Sequence, residues 1–412
     1  MKIVILSTYD QKGGAAIAAF RLAKSLNKLD GVQANLLVKQ KDSAESFVVQ
    51  SSSGFLANLK NKWNEIWERF LFMRMEKDPS VRFQFSIANT GQAISEHQLV
   101  READIIHMHW INQAFVSLKE ISRLQTLGKP VVWTLHDMWA FTGGEHYSTT
   151  ESYTEEAGNS EMLKNPSPND LSHQLWKKKK ESYKAIDFIT CSAWLKLCAD
   201  KSSLLKDFHV EAIPNPIDTK FFAKRGALME IFGKKDKLNI LFGAFNVQDP
   251  RKGFKFLAEA LNMIPKEYQE QLNLLIVGKA AGIEEYGLNV SFESLGTISQ
   301  SKMPELYSST QLMLVPSLQD NLPNTIMEAM SCGCPVLAFR TGGIPEMIEH
   351  GENGYLVEPK SALGISQYLQ AFIDSSRKEE MGIAARKKVL DSYEELKVAQ
   401  IHLDHYQKLL DK

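Results

Sequence analysis

At 412 residues the chain is too long for one ordinary hydrophobic core, and two or three domains are expected. Its apolar content of 44% and charged content of 24% are those of a soluble globular protein and exclude extended disorder. The 48 lysines and arginines stand against 49 acids, a net charge of −1, which excludes the global basic field of a nucleic-acid binder and leaves only local contacts with anions. Four cysteines, Cys191, Cys198, Cys332 and Cys334, have the spacing of neither a disulfide framework nor a zinc knuckle and read as small buried residues.

The first segment, MKIVILSTYD, has an apolar run of only four residues, too short for a signal-peptide core, and reads as a buried strand over Ile3 to Leu6. No apolar stretch reaches the roughly 18 residues that cross a membrane. A bacterial-type cytoplasm is therefore the expected compartment, with peripheral attachment to the inner face of the membrane left open. After a polar turn, Gly13-Gly14 opens a helical run, AAIAAFRLAKSLNKL, where glycine lets backbone amides close on a phosphate or a sugar. Gln33 to Val38 supplies a second strand. Gly54 to Lys77 places Leu56, Leu59, Trp63, Ile66, Trp67 and Phe70 at helical spacing. Lys60, Lys62, Arg69 and Arg74 around the two tryptophans suggest a membrane interface, but Glu65, Glu68 and Glu76 dilute that charge, and a helix packed on its own domain is the expected reading.

Asp104 to His109 and Val131 to Leu135 are two further buried strands, ending in His107, His109 and Trp110 and in His136-Asp137. Strand ends are where an α/β sheet keeps its chemistry. Phe141 to Asp170 is polar, weakly periodic and reads as a loop, and Lys177 to Lys180 after Trp176 reads as a solvated helix face. Phe188 to Cys191 and Val210 to Ile213 close the first half, and Pro214-Asn215-Pro216 is a rigid break suited to a domain boundary. Beyond it βα alternation restarts, with strands at Asn239 to Phe242, Asn273 to Val277, Val290 to Leu295, Leu312 to Val315 and Pro335 to Phe339, and three closing amphipathic helices. The expected fold is α/β: two doubly wound, Rossmann-like domains facing across a ligand cleft. Their expected limits are 1–214 and 215–392, with a C-terminal helix, 393–412, packing back on the first domain.

The densest chemistry lies in SLQDNLPNTIMEAMSCGCPVLAFRTGGIPE, Ser317 to Glu346. Asp320 falls in a loop after a strand and Glu328, eight positions on, in the following helix. Arg251-Lys252-Gly253 opens a helix after the strand Asn239 to Phe242. A nucleotide-sugar needs acceptors for its hydroxyls, cations for its phosphates and close backbone amides; Glu328, Lys252 with Arg251, and the Asn321-Leu322-Pro323-Asn324 loop supply them in turn. No Asp-x-Asp pair that would hold a divalent ion is present.

The pattern D-x7-E-A-M-x-x-G-x-P-V, followed by T-G-G-I-P-E-M-I and G-E-N-G-Y-L-V, resembles the retaining glycosyltransferases of family 4, which have the GT-B fold. Gly13-Gly14-Ala15, Thr134-Leu135-His136-Asp137, Ile213 to Asp218 with Phe222, and Arg251-Lys252-Gly253 extend the resemblance along the chain. HMHWIN, WTLHDMWAFTGG and DNLPNTIMEAM are most similar to bacterial transferases of exopolysaccharide, capsule and lipopolysaccharide O-antigen synthesis, including the colanic-acid type. The resemblance implies a metal-independent hexosyltransferase that needs no cofactor beyond its UDP- or GDP-linked substrate and acts on a glycan or lipid-linked glycan acceptor. A sugar-nucleotide epimerase or a phosphorylase of the same fold is the alternative.

Carried over residue by residue, the resemblance puts Glu328 on the ribose, Asp320 on the donor sugar and Lys252 on the diphosphate. Gly13 and Gly14 then approach the phosphates, and His136 lies near the donor's 6-position and the acceptor. His136, Asp320 and Lys252 are the expected catalytic residues. Arg251, Asn321, Leu322, Pro323 and Asn324 complete the expected donor set. Two positions depart from the family: Asp320-Asn321 replaces glutamate-glycine, and Gly243-Ala244 replaces a glycine-arginine pair, leaving Arg251 as the expected substitute cation.

Overall fold

The computed structural model describes residues 1–148, 151–225 and 232–412; positions 149 and 150, inside the stretch read as a loop, lie outside them. The chain divides into two compact units, Met1–Pro216 with Leu396–Lys412, and Ile217–Glu395. Each is built on one parallel sheet.

In the first unit the strands are β1 (Lys2–Tyr9), β2 (Gln33–Gln40), β3 (Val48–Gln50), β4 (Ile105–Met108), β5 (Val131–Leu135), β6 (Ile186–Thr190) and β7 (Val210–Ala212). Their order is β3-β2-β1-β4-β5-β6-β7. Side chains alternate across β1: Val4 and Leu6 join one apolar cluster with Ile106, Met108 and Trp133, while Ile3 and Ile5 join another with Leu36, Val38 and Ile105. Both faces are covered, which is why these strands read as unbroken apolar runs rather than alternating ones. The sheet grows from β1 to β3 and then returns to β4 on the other side of β1. The ends of β1 and β4 therefore flank a topological switch point, where ligands of open α/β sheets collect. Helix α1 (Gly14–Leu26) follows β1 with Gly13 as its N-cap, a residue that has no side chain to occupy the first turn.

Helix α2 (Phe55–Met73) departs from the expected packing. Only Asn61, Glu68 and Phe72 are buried along it. Phe55, Leu56, Leu59, Trp63, Ile66, Trp67, Phe70 and Met73 are exposed, Trp63 by 64% and Phe55 by 81%. The glutamates explain the inversion, because each finds its partner inside the unit. Lys39 Nζ donates to Glu65 at 2.6 Å, the Thr90 N–H donates to Glu68 at 2.9 Å, and Arg82 Nε donates to both Glu76 oxygens at 3.1 Å. Lys60, Lys62, Arg69 and Arg74 stay exposed beside the apolar residues.

The lysine run also splits. In the helix Leu171–Ser182, Lys177, Lys178 and Lys180 are exposed, whereas Lys179 is fully buried and donates to the carbonyls of Trp139 and, at 3.1 Å, Thr142.

The second unit contains β8 (Leu238–Asn246), β9 (Leu272–Lys279), β10 (Ser291–Gly296), β11 (Leu312–Val315), β12 (Val336–Phe339) and β13 (Gly354–Val357), in the order β10-β9-β8-β11-β12-β13. Its core joins Ile240, Phe242, Leu274, Ile276, Leu314 and Phe339 to Phe254, Leu257, Leu261 and Leu369 from helices Phe254–Met263 and Ala362–Asp374. Here the switch point lies between β8 and β11.

The C-terminal helix Glu395–Leu410 places Val398, Ala399 and Tyr406 in the β1–β2 cluster of the first unit. His405 on this helix bonds Asp187 and Glu211, at 2.7 Å each. Burial opposes its charge, but the hydrogen bonds and charges of Asp187 and Glu211 outweigh it and raise its pKa. A raised histidine pKa stabilises the fold fully below the unfolded value and loses that contribution as pH rises through the folded one. Chemical denaturation from about pH 6 to about pH 9 should therefore show the wild type losing stability relative to His405→Gln; parallel curves for the two proteins would contradict the pairing of His405 with Asp187 and Glu211.

Candidate functional site

In the second unit the loops after β8 and β11 are pressed together at the switch point. The Leu318 N–H donates to the Arg251 carbonyl at 2.7 Å, and Lys252 Nζ donates to Asp320 Oδ2 at 2.7 Å. Gly253 permits this approach: its φ is +70°, and a Cβ there would lie 1.9 Å from the Pro316 carbonyl oxygen. The TGG motif holds the loop from its other side. Thr341 Oγ1 donates to the Ser317 carbonyl at 2.7 Å, and a Cβ on Gly342 would lie 1.8 Å from the Asp320 carbonyl oxygen.

Asn321, Leu322 and Pro323 are buried, so Leu322 and Pro323 offer a ligand only their backbone. The helix Asn324–Ser331 starts after Pro323 without a side-chain cap, the arrangement that suits an anion at a helix N-terminus. Glu328 on this helix is 7% exposed and accepts from Tyr307 Oη at 2.9 Å. The unit thus brings Lys252 and Asp320 into contact and sets Glu328 on the helix that follows. Arg251 Nη2 donates to Asp249 Oδ2 at 2.8 Å.

In the first unit the ends of β4 and β5 carry a chain of imidazoles. His107 lies between Tyr406 Oη at 2.6 Å and Thr134 Oγ1 at 2.7 Å. His109 Nδ1 is 2.9 Å from His136 Nε2, and His136 Nδ1 is 3.4 Å from Cys191 Sγ, which donates to Asn215 Oδ1 at 3.2 Å. His109 Nε2 is buried and has no hydrogen-bond partner. A buried N–H without an acceptor costs more than a buried lone pair without a donor, so the favoured arrangement puts the His109 proton on Nδ1, donating to His136 Nε2. His136 then carries its own proton on Nδ1, facing Cys191. Both of its ring nitrogens are engaged within the unit, and burial lowers its pKa to about 4.

Beside it, Asp137 accepts from His146 Nδ1 at 2.6 Å, Trp110 Nε1 at 3.2 Å and the Trp139 N–H at 2.9 Å. Burial opposes its charge, yet His146 and the Trp139 amide hold the carboxylate below its usual pKa. The segment after it is fixed from below by Lys179, whose pKa burial lowers to about 7, and by Tyr183 Oη donating to the Ala140 carbonyl at 3.1 Å. Gly13 and Gly14 sit where α1 begins, at the end of β1. His146, Cys191, Lys179 and Tyr307 were not anticipated. Cys191, Lys179 and Tyr307 act through partners remote in sequence, a relation no local motif records, and His146 reaches Asp137 from nine positions away.

Two doubly wound parallel-sheet units define the GT-B class, and solved structures of low identity share that fold along the whole chain. Sucrose-phosphate synthase from Thermosynechococcus elongatus aligns with a TM-score of 0.70 and 17% identity over 100% of this chain and 99% of that one. HepE from Anabaena, in complex with UDP and glucose, aligns with a TM-score of 0.64 and 17% identity over 99% of each chain. The family described as Glycosyl transferases group 1 matches residues 227–388, so the chain carries a glycosyltransferase group 1 domain. The N-acetyl-alpha-D-glucosaminyl L-malate synthase of Bacillus anthracis is 29% identical over 211 residues, 49% of this chain and 55% of that protein. The chain spans about half the length of the curated relatives it matches.

The imidazole geometry has a spectroscopic consequence. In nitrogen-15 spectra His136 should remain the neutral Nδ1–H tautomer from about pH 8 down to about pH 5, protonating only near its lowered value of about 4. A titration of this residue near the ordinary value of 6.5 would show that the ring is not held as described.

Proposed function

We propose that the protein is a retaining glycosyltransferase that moves a sugar from a nucleotide-sugar donor to a glycan carried on a lipid, in surface-polysaccharide synthesis. The observation that carries this reading is the Lys252–Asp320 pair at the switch point of the second unit, inside the group 1 domain and one loop before Glu328. In this reading residues 215–392 take the donor and residues 1–214 the acceptor. Glu328 binds the ribose hydroxyls, Asp320 the sugar hydroxyls and Lys252 the diphosphate, with Arg251 and the Asn321–Asn324 backbone beside them. Gly13, Gly14 and His136 act from the first unit.

Charge developing on the leaving diphosphate is met by ammonium, guanidinium and helix-start amides that are already in place, the arrangement that lowers such barriers most. The acceptor hydroxyl attacks on the face from which the phosphate departs, and a phosphate oxygen takes its proton, so the enzyme supplies no nucleophile. His136, neutral and bonded through both nitrogens, then serves as a shaped wall rather than an acid or base. Under this reading activity survives chelation of divalent metals. The UDP bound by HepE favours a uridine donor as the first to try.

The exposed side of α2 supports peripheral attachment to an anionic membrane. Its two glutamates, and Glu76 just beyond it, are bonded inward, and its outer face combines two tryptophans with Lys60, Lys62 and Arg69, followed by Arg74 at its C-cap. No helix among the described residues is long and apolar enough to cross a membrane, so α2 would lie along the surface.

A thermal-shift panel of UDP-, GDP- and ADP-linked sugars tests the donor. One nucleotide should raise the melting temperature, by about 2.7 kcal/mol of added stability at about a hundredfold excess over Kd, and Glu328→Ala should lose the shift. Failure of every donor to stabilise the wild type, with Glu328→Ala behaving identically, would remove the transferase reading. For the membrane, the wild type should co-sediment with phosphatidylglycerol-rich vesicles, less so with phosphatidylcholine vesicles, and a Trp63→Ala, Trp67→Ala double variant should stay in solution. Equal recovery of wild type and variant in the supernatant would count against attachment through α2.

A further inference from the structure

The loops at the switch point of the second unit hold fewer uncommitted cations than their sequence suggests. Lys252 is neutralised by Asp320 and Arg251 by Asp249, at 2.7 and 2.8 Å, while Glu328 adds a negative charge. These five side chains sum to a net negative charge, so a diphosphate bound there gains from a further cation. Lys279, at the end of the adjacent strand β9, is different. It is exposed, and no carboxylate among the described residues pairs with it. Its ammonium lies 5.1 Å from the centroid of the Phe245 ring.

Phe245 itself is 84% exposed at the end of a strand whose earlier residues are buried. Two backbone features build this pair. The β8–β9 register shifts between Gly243 and Asn246, an irregularity of the kind that re-aims a side chain near a functional site. Gly278 then lets β9 close on the irregular segment: its φ is +115°, and a Cβ there would lie 1.6 Å from the Ala244 carbonyl oxygen. Asn246 consequently pairs with Lys279, and the Val247 N–H donates to the Lys279 carbonyl at 3.0 Å. A solvated strand end needs neither an exposed aromatic nor a close backbone approach that only glycine allows.

We propose that Phe245 and Lys279 form a binding site for a nucleoside diphosphate, the ring stacking on the base and the ammonium facing the phosphates. The assignment rests on the donor reading above and sets Lys279 beside Arg251 as a second cation in place of the one absent at Ala244. The lysine lies over the Phe245 ring, the residue is 84% exposed, and an aromatic platform tolerates any base. Discrimination among bases then belongs to other residues, while Phe245 and Lys279 supply affinity.

Calorimetric titration of UDP, GDP and ADP, and of the corresponding nucleosides, into the full chain tests this. With the nucleotide the wild type selects, Lys279→Gln should bind about tenfold more weakly and with a shallower salt dependence. Phe245→Ala should also bind about tenfold more weakly. Lys279→Arg and Phe245→Trp should bind like the wild type, and Arg251→Ala should lose less than Lys279→Gln. Phe245→Ala should weaken the nucleoside as well, whereas Lys279→Gln should not. Both side chains are exposed, so the unliganded melting temperatures should stay unchanged and exclude misfolding as the cause. Wild-type affinity retained in both Phe245→Ala and Lys279→Gln would overturn the assignment while leaving the donor reading intact. A wild type that binds no nucleoside diphosphate would overturn the donor reading, and this site with it.

Discussion

The second unit depends on one close approach: the loops after β8 and β11 meet at backbone distance at the point where the sheet reverses its growth. A parallel sheet that adds strands first on one side and then on the other sends its loops apart there, leaving a crevice outside the strand ends. In this unit the loops diverge only as far as Gly253 allows, because any side chain at that position would overlap the Pro316 carbonyl. The Arg251 carbonyl and the Leu318 amide then bond, and Lys252 and Asp320, 68 positions apart, become ion-pair partners. Gly342 performs the same service on the far side of Asp320. Short motifs that look like isolated signatures, RKG and TGG, are thus two clamps on one segment.

The first unit solves a different problem at its strand ends, the burial of polar rings. His107 is satisfied by Tyr406 and Thr134, while His109, His136 and Cys191 are linked in series, ending on Asn215. Burial drives all three imidazoles toward the neutral form. The following loop is fixed from beneath by Lys179, whose ammonium lies 3.9 Å from the Trp139 ring centroid and bonds two carbonyls. Removing such a group from water costs several kcal/mol unless every donor finds a partner. A segment held this way keeps one conformation, and Asp137 with its three donors inherits that rigidity.

What could be read in advance follows the range of the forces involved. The central strands were legible because both faces of each sheet are covered, which turns them into short apolar runs that need no knowledge of their neighbours. The strand β3, only three residues long, carries no such signal. The fold class was legible for the same reason as the strands, through the repetition of βα units. Sidedness was not. Periodicity shows that α2 has an apolar stripe, but the direction it faces is decided by Lys39, Thr90 and Arg82, whose partnership with the three glutamates is invisible along the chain. Lys179 teaches the same lesson, since composition makes it one of four equivalent lysines and only the fold makes it the buried one. Around the candidate site, contiguous motifs could be quoted from the sequence, whereas Tyr307 on Glu328 and Cys191 on His136 join positions 21 and 55 residues apart.

The aspartate at position 320 gains a meaning from its length. Its carboxylate reaches Lys252, at 2.7 Å with the pair only partly exposed. Such a pair is not inert storage, because a phosphate offers the same ammonium a more concentrated charge and further hydrogen bonds. Under the proposed donor reading an arriving diphosphate competes for Lys252, and success in that competition releases the Asp320 carboxylate toward the hydroxyls of the sugar. Binding the phosphates and preparing the sugar contact are then one event. A second cation that starts without a counter-ion, such as Lys279, lowers the cost of beginning it, since the first attraction does not have to break an ion pair.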